Sequence, residues 1–326
     1  MKIEYLVAFI SIIVAISSIL VAYRLNIVIQ QLRNEIAELN KSLLDIKKSL
    51  NKLKGGLRGI VYILPYNVCS SYWHDRYGDR IFFYVYENVS KYANFIEWDF
   101  SNICKYYNTV IILIPADNTS LYFYNLKYMS LISARYNLSV IWAIFPKRKF
   151  GNERDYLRNG TMLNKVIINI MDYLSTLNNT LKVAIWYGWL DEKNVSEILS
   201  FYDSLHPNLK KIYALWLDQP FVALLKKLPK HNLSFLVITE LYDEKMIRKY
   251  SGIVPNQMII TGYSDAVSKE QWIMGICKKI LLAKDVNDFG IWIYYDINDG
   301  SGERYAVFFK KDGLANPWIC LSGLKS

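Results

Sequence analysis

The chain alternates short, dense apolar runs with longer amphipathic stretches. Eight runs rich in β-branched and aromatic residues recur: GIVYILPY (59–66), TVIILIPAD (109–117), LSVIWAIFP (138–146), KVAIWYGWLDE (182–192), KIYALWLDQP (211–220), SFLVITELYDE (234–244), QMIITGYSD (257–265) and FGIWIYYDIND (289–299). They are nearly continuous rather than alternating, which marks strands covered on both faces, as in a parallel sheet. Helix-length segments separate them, among them Leu121–Tyr136, Met162–Leu177, Val195–Leu205 and Lys269–Ala283. Eight such units predict an α/β fold, a (β/α)8 TIM barrel over residues 57–326, with its chemistry on the loops that follow the strands.

The N-terminal residues follow another pattern. Tyr5 to Tyr23 carries no charge and is flanked by Glu4 and Arg24. At helical rise it spans about 28 Å, close to the hydrocarbon thickness of a bilayer. This predicts a transmembrane anchor over residues 1–24 in contact with membrane lipid; a cleaved signal ending near Ala22 is the competing reading. Leu25, Ile29, Leu32, Ile36, Leu39, Leu43, Ile46, Leu50 and Leu53 then keep a strict 4-3 spacing. Mostly polar residues lie between them, so residues 25–56 read as a coiled-coil stalk and the protein as a homo-oligomer of open strand number. Gly55 and Gly56 end the helix as a hinge.

Composition narrows the classes. With 326 residues, 52% of them hydrophobic, the chain is not intrinsically disordered. The net charge of +10 comes from dispersed Lys and Arg with no nucleic-acid module beside them, so a basic surface facing lipid or glycan is expected and no nucleic-acid partner. Asn-x-Ser/Thr sequons at Asn40, Asn88, Asn118, Asn137, Asn159, Asn178, Asn194 and Asn232 point to an exported, extracellular barrel. Cys69, Cys104, Cys277 and Cys320 suit that compartment, and pairs Cys69–Cys104 and Cys277–Cys320 would each close a local loop, with three connectivities open. The three histidines are scattered and no Cys/His spacing suits zinc, so neither metal nor cofactor is expected.

In a barrel, strand-end side chains converge on one cavity. Asp117, Asp191, Glu192, Asp218, Glu240, Asp265, Asp296 and Asp299 lie at or near strand ends, with Trp142, Tyr187, Trp189, Trp216, Tyr263, Trp292 and Tyr295 as aromatic company. Rings stack on apolar sugar faces, and paired carboxyls supply acid and base or nucleophile, so the pattern suits carbohydrate. Asp117, Asp191 and Asp265 precede helices and serve equally well as caps. Trp73, His74 and Asp75, in the insertion 67–108, are further candidates to line the mouth.

The stretch from Met258 to Trp318 resembles the C-terminal part of clan A glycoside hydrolases, through IITGYSDAVSKEQ, the helix WIMGICKKILLAK and the tail ERYAVFFKKDGLANP. The resemblance implies a (β/α)8 retaining glycosidase with an acid/base Glu after the fourth strand and a nucleophilic Glu ending the seventh. Glu192 stands near the first position, preceded by Asp rather than Asn; the seventh run reads Thr261-Gly262-Tyr263 and has no carboxylate there. Glu240, in Ile-Thr-Glu-Leu, resembles the nucleophile motif but falls one strand early. Two functions are therefore expected. One is a membrane-anchored extracellular glycosidase using Glu192, Asp218 and Glu240, with Tyr187, Trp189, Trp216, Tyr263, Trp292 and Tyr295 holding the sugar. The other is a non-catalytic cell-envelope scaffold or glycan-binding protein on an oligomeric stalk.

Overall fold

A computed structural model describes residues 17, 21, 23–36, 38, 56–63, 83–146, 153–187, 195–228, 233–262, 269–283, 285–292, 308–309, 313–314, 316 and 318. The chain divides into two compact units, Met1–Lys54 and Gly55–Ser326. In the first, residues 23–36 are helical, and Leu25, Ile29, Leu32 and Ile36 are all exposed. Most of Tyr5–Tyr23 lies outside the described residues; among those described, no helix is long and apolar enough to cross a membrane.

The second unit is a closed, all-parallel barrel in which each strand pairs with the next and β8 pairs back onto β1. Its strands are β1 (Arg58–Tyr62), β2 (Thr109–Pro115), β3 (Ser139–Phe145), β4 (Thr180–Tyr187), β5 (Tyr213–Leu217), β6 (Leu236–Glu240), β7 (Gln257–Thr261) and β8 (Asp288–Ile291). All eight sequence runs supply a strand. They are apolar throughout because both faces are covered: β2 is buried at every position. One face fills the barrel with Val61, Ile111, Leu113, Ile141, Ala143, Ala184, Ala214, Ile238, Met258 and Ile260. The alternate face packs against helices, which is where Trp142 points. It is fully buried with Nε1 donating to Thr180 Oγ1 at 3.1 Å, so it is no part of the mouth.

Glycine at two paired positions lets this interior close. A Cβ on Gly59 would meet Met258 Cε at 2.7 Å and Ile111 Cδ1 at 3.0 Å, and one on Gly290 would meet Ile260 and Ile111 at 3.0 and 3.1 Å.

The longer outer helices are α1 (Ala93–Ile103), α2 (Ser120–Arg135), α3 (Met162–Ser175), α4 (Val195–Ser204), α5 (Pro207–Ile212), α6 (Glu244–Tyr250) and α7 (Lys269–Leu282). Thr119 and Thr161 cap α2 and α3 by accepting from the backbone N–H three residues on. Asp243 caps α6 by the same chemistry, and His206 caps α5. Cys104 is free and exposed, which corrects the expected Cys69–Cys104 pair. Cys277 is disulfide-bonded, so its partner is Cys69 or Cys320, both outside the described residues.

Candidate functional site

The pleat of each strand decides which strand-end side chains reach the mouth. On β5, Ala214 and Trp216 face inward, and the next residue of that parity is Asp218. On β6 the inward series Leu236, Ile238 ends at Glu240. On β4 it runs Ala184, Trp186, and on β7 Met258, Ile260, Gly262. The mouth thus receives Trp186, Asp218 and Glu240 from three adjacent strands, and no side chain at the corresponding position after β7.

Asp218 occupies the N-cap position of the 3-10 segment Gln219–Lys226, yet its side chain caps nothing. It accepts a hydrogen bond from Trp186 Nε1 and stands beside Glu240, close enough for each carboxyl to shift the other's ionisation. Glu240 Oε1 accepts from Trp216 Nε1 at 2.7 Å, and Oε2 accepts from Tyr242 Oη at 2.9 Å. Two carboxyls in contact cannot both ionise cheaply in a site that excludes water. Burial raises Asp218 to about 6, against the pull of its bonds to Trp186 and Glu240. Burial, followed by the charge of Asp218, holds Glu240 well above the ordinary carboxyl range, although Trp216 and Tyr242 favour its ionised form. The two carboxyls titrate as a pair, and the direction of both shifts leaves them sharing one proton near neutral pH.

The aromatic surround differs from the sequence expectation. Trp216 is fully buried, so it holds Glu240 and offers no face to a sugar. Trp292 is only 7% exposed and sits edge-on to Trp216, with ring centroids 6.2 Å apart. Trp186, which the sequence reading passed over in favour of Tyr187, is half-buried and stacks on Phe145 at 4.6 Å. Tyr242 was also missed. The inward parity of β4, set by Ala184, was the signal that would have found Trp186.

The end of β7 is tied down by its neighbours. Trp292 N donates to Thr261 O at 2.9 Å, and the buried Lys279 Nζ of α7 donates to Gly262 O. Asp117, two residues past the end of β2 and of its inward parity, is fully buried, and its Oδ1 accepts from the backbone N–H of Asn118 at 2.8 Å and of Thr119 at 3.0 Å. The backbone of Tyr187 is part of β4, but its side chain is outside the description. Trp73, His74, Asp75, Trp189, Asp191, Glu192, Tyr263, Asp265, Tyr295, Asp296 and Asp299 lie outside the described residues. Among the described residues no cluster of His, Cys, Asp or Glu could hold a metal ion.

No protein-family model matches the sequence, and no curated protein does. Solved structures do match in fold. A family 5 glycoside hydrolase from Bifidobacterium longum subsp. longum, in complex with Manβ1-4GlcNAc, is 11% identical at a TM-score of 0.54, covering 82% of this chain and 77% of that one. A family 113 β-1,4-mannanase is 12% identical at 0.51, over 83% of this chain and 99% of its own. An endocellulase from Pyrococcus horikoshii, in complex with cellotetraose, is 9% identical at 0.53, over 83% and 93%. The barrel therefore shares the (β/α)8 fold of these glycoside hydrolases.

Proposed function

We propose that the barrel mouth binds carbohydrate, with β-1,4-linked gluco- or manno-oligosaccharides as the first ligands to test, and that it does so without retaining hydrolysis. One observation carries this reading: β7 ends at Thr261-Gly262 without a carboxylate, while Asp218 and Glu240 follow the adjacent strands β5 and β6. A retaining mechanism needs two carboxyls about 5–5.5 Å apart on either side of the anomeric carbon, and an inverting one about 6.5–9.5 Å. Asp218 and Glu240 come from neighbouring strands on one side of the mouth and do not face each other across it. Both oxygens of Glu240 are also engaged, which blunts it as a nucleophile. The same pair is well suited to a sugar, because Asp218 can accept from a hydroxyl while Trp186 presents a ring. Tyr187, Trp189, Glu192, Tyr263, Trp292 and Tyr295 remain the further residues proposed to contact the sugar.

A glycosidase is the second reading, favoured by one observation: a carboxyl at about 6 suits a general acid near neutral pH. In that case Asp218 or Glu192 donates the proton and Glu240 is the second carboxyl. Tryptophan fluorescence titration with cello- and manno-oligosaccharides tests the first reading: saturable binding lost in Trp186→Ala supports it, and no response to any of them sinks it. Turnover of aryl glycosides that Glu240→Gln abolishes would establish the second.

The N-terminal residues complete the proposal. Tyr5–Tyr23 anchors the chain in the membrane, the barrel lies outside the cell, and the stalk pairs with further copies of itself. Supporting the last point, Leu25, Ile29, Leu32 and Ile36 expose 44–56% of their surface on one helix, a stripe that identical helices bury in a coiled coil.

A further inference from the structure

Loop asparagines ordinarily earn their place by hydrogen-bonding nearby backbone. Five described ones do so: Asn108 Nδ2 donates to Gly56 O at 3.2 Å, Asn179 Nδ2 to Ser130 O at 2.9 Å and Asn256 Nδ2 to Leu233 O at 3.2 Å, while Asn88 and Asn316 accept from the backbone N–H two residues on. Asn118, Asn137, Asn159 and Asn178 do not. All four are exposed, and none makes a side-chain hydrogen bond. Each of the four opens a sequon: Asn118-Thr119-Ser120, Asn137-Leu138-Ser139, Asn159-Gly160-Thr161 and Asn178-Asn179-Thr180. Of the five engaged asparagines only Asn88 does.

Their placement is regular. Asn118 and Asn137 stand at the two ends of α2, and Asn159 and Asn178 at the two ends of α3, with the same chain separation within each pair. Both helices belong to neighbouring units of the barrel. Asn118 and Asn159 follow β2 and β3 on the mouth side; Asn137 and Asn178 precede β3 and β4 at the opposite end. Between them the outer surfaces of α2 and α3 expose Tyr124, Leu131 and Met162 by about half, an apolar area with no protein cover in the described structure. The left-handed backbone at Asn137 (φ 55°) accounts for an asparagine there on its own, but not for the serine two residues on or for the other three sites.

We infer that Asn118, Asn137, Asn159 and Asn178 are N-glycosylation sites, and that their glycans sheathe the α2–α3 flank. In the transfer, Nδ2 of each asparagine forms a bond to C1 of a lipid-phosphate-linked oligosaccharide. The C1–O bond to the phosphate breaks, and the amide proton leaves to a base. Asn88 is excluded although it opens Asn88-Val89-Ser90. It is half-buried, and its Oδ1 accepts from Ser90 N at 3.0 Å and Ser90 Oγ at 2.7 Å.

The inference rests on the proposed export of the barrel, so two readouts are taken on the full chain made in an exporting host that carries an oligosaccharyltransferase. Glycopeptide mass spectrometry is expected to find glycan at the four sites and none at Asn88, with each Asn→Gln variant losing one glycan mass. Bare peptides from a barrel that added protease cleaves on intact cells overturn the inference while export stands. A barrel that protease reaches only after lysis overturns export and the inference with it. Occupancy at Asn88 equal to the other four refutes the accessibility argument.

Discussion

Replacing Asp218 by Asn should make the barrel more stable at neutral pH and flatten its stability against pH. Burial moves the Asp218 carboxyl from 3.8 to about 6. A shift of that size corresponds to about 3 kcal/mol of differential stability. The sign follows from proton uptake. Between about pH 4 and pH 6 the folded pair holds a proton that the unfolded chain has lost, so stability falls as pH rises through that window and stays reduced above it. Glu240, also raised, extends the loss to higher pH. In Asp218→Asn the amide oxygen still accepts from Trp186 and the NH2 group can donate to Glu240, so the charge conflict disappears while the contacts survive. Urea denaturation followed by tryptophan fluorescence, run from pH 4 to pH 8, is the assay. Near pH 4 the variant and parent should agree within about 0.5 kcal/mol. At pH 7.5 the variant should be more stable by about 1–3 kcal/mol. A variant that is less stable than the parent at pH 7.5, or that keeps the parent's slope, would refute the shared-proton reasoning.

Three further outcomes are expected. Trp216→Phe keeps a ring in the core but removes the donor to Glu240 Oε1, so it should cost about 1–3 kcal/mol and push the pair's titration to higher pH; an unchanged pH profile would remove Trp216 from the site. Asp117→Ala should lower stability by about 1 kcal/mol in thermal melts and leave oligosaccharide binding untouched, since its partners are the backbone at the start of α2; altered binding would put Asp117 back in the mouth. Ile36→Asp combined with Leu43→Asp should reduce the chain to monomers by light scattering, and a variant that stays multimeric would remove the stalk from the assembly.

The barrel was legible in the sequence because a strand buried on both faces leaves no room for polar residues, and β2, TVIILIP, shows this at all its positions. Strand count mattered for function. With Glu240 ending β6 and Thr261 ending β7, Glu240 is not the seventh-strand nucleophile that its Ile-Thr-Glu motif suggests. Asp218 and Glu240, singled out from the sequence, follow the adjacent strands β5 and β6 with the same inward parity. The aromatics were not. Trp216 and Trp186 are both tryptophans near strand ends, and composition cannot say which is covered. They are register partners on β4 and β5, and burial alone separates them: Trp216 is fully covered and holds Glu240, while Trp186 is half-buried. Asp117 shows the other ambiguity, because a carboxylate that starts a helix and one that lines a cavity look alike until its hydrogen bonds are known.

On the proposed reading the mouth binds sugar, and its carboxyl pair shares a proton and performs no retaining hydrolysis. Isothermal calorimetry of the full chain with cello- and manno-oligosaccharides separates the alternatives in one trace, because binding releases a finite heat and turnover a sustained one. The expected result is heat that saturates and returns to baseline, and that Trp186→Ala loses. Sustained heat abolished by Glu240→Gln would contradict the account, and so would the absence of any heat of binding.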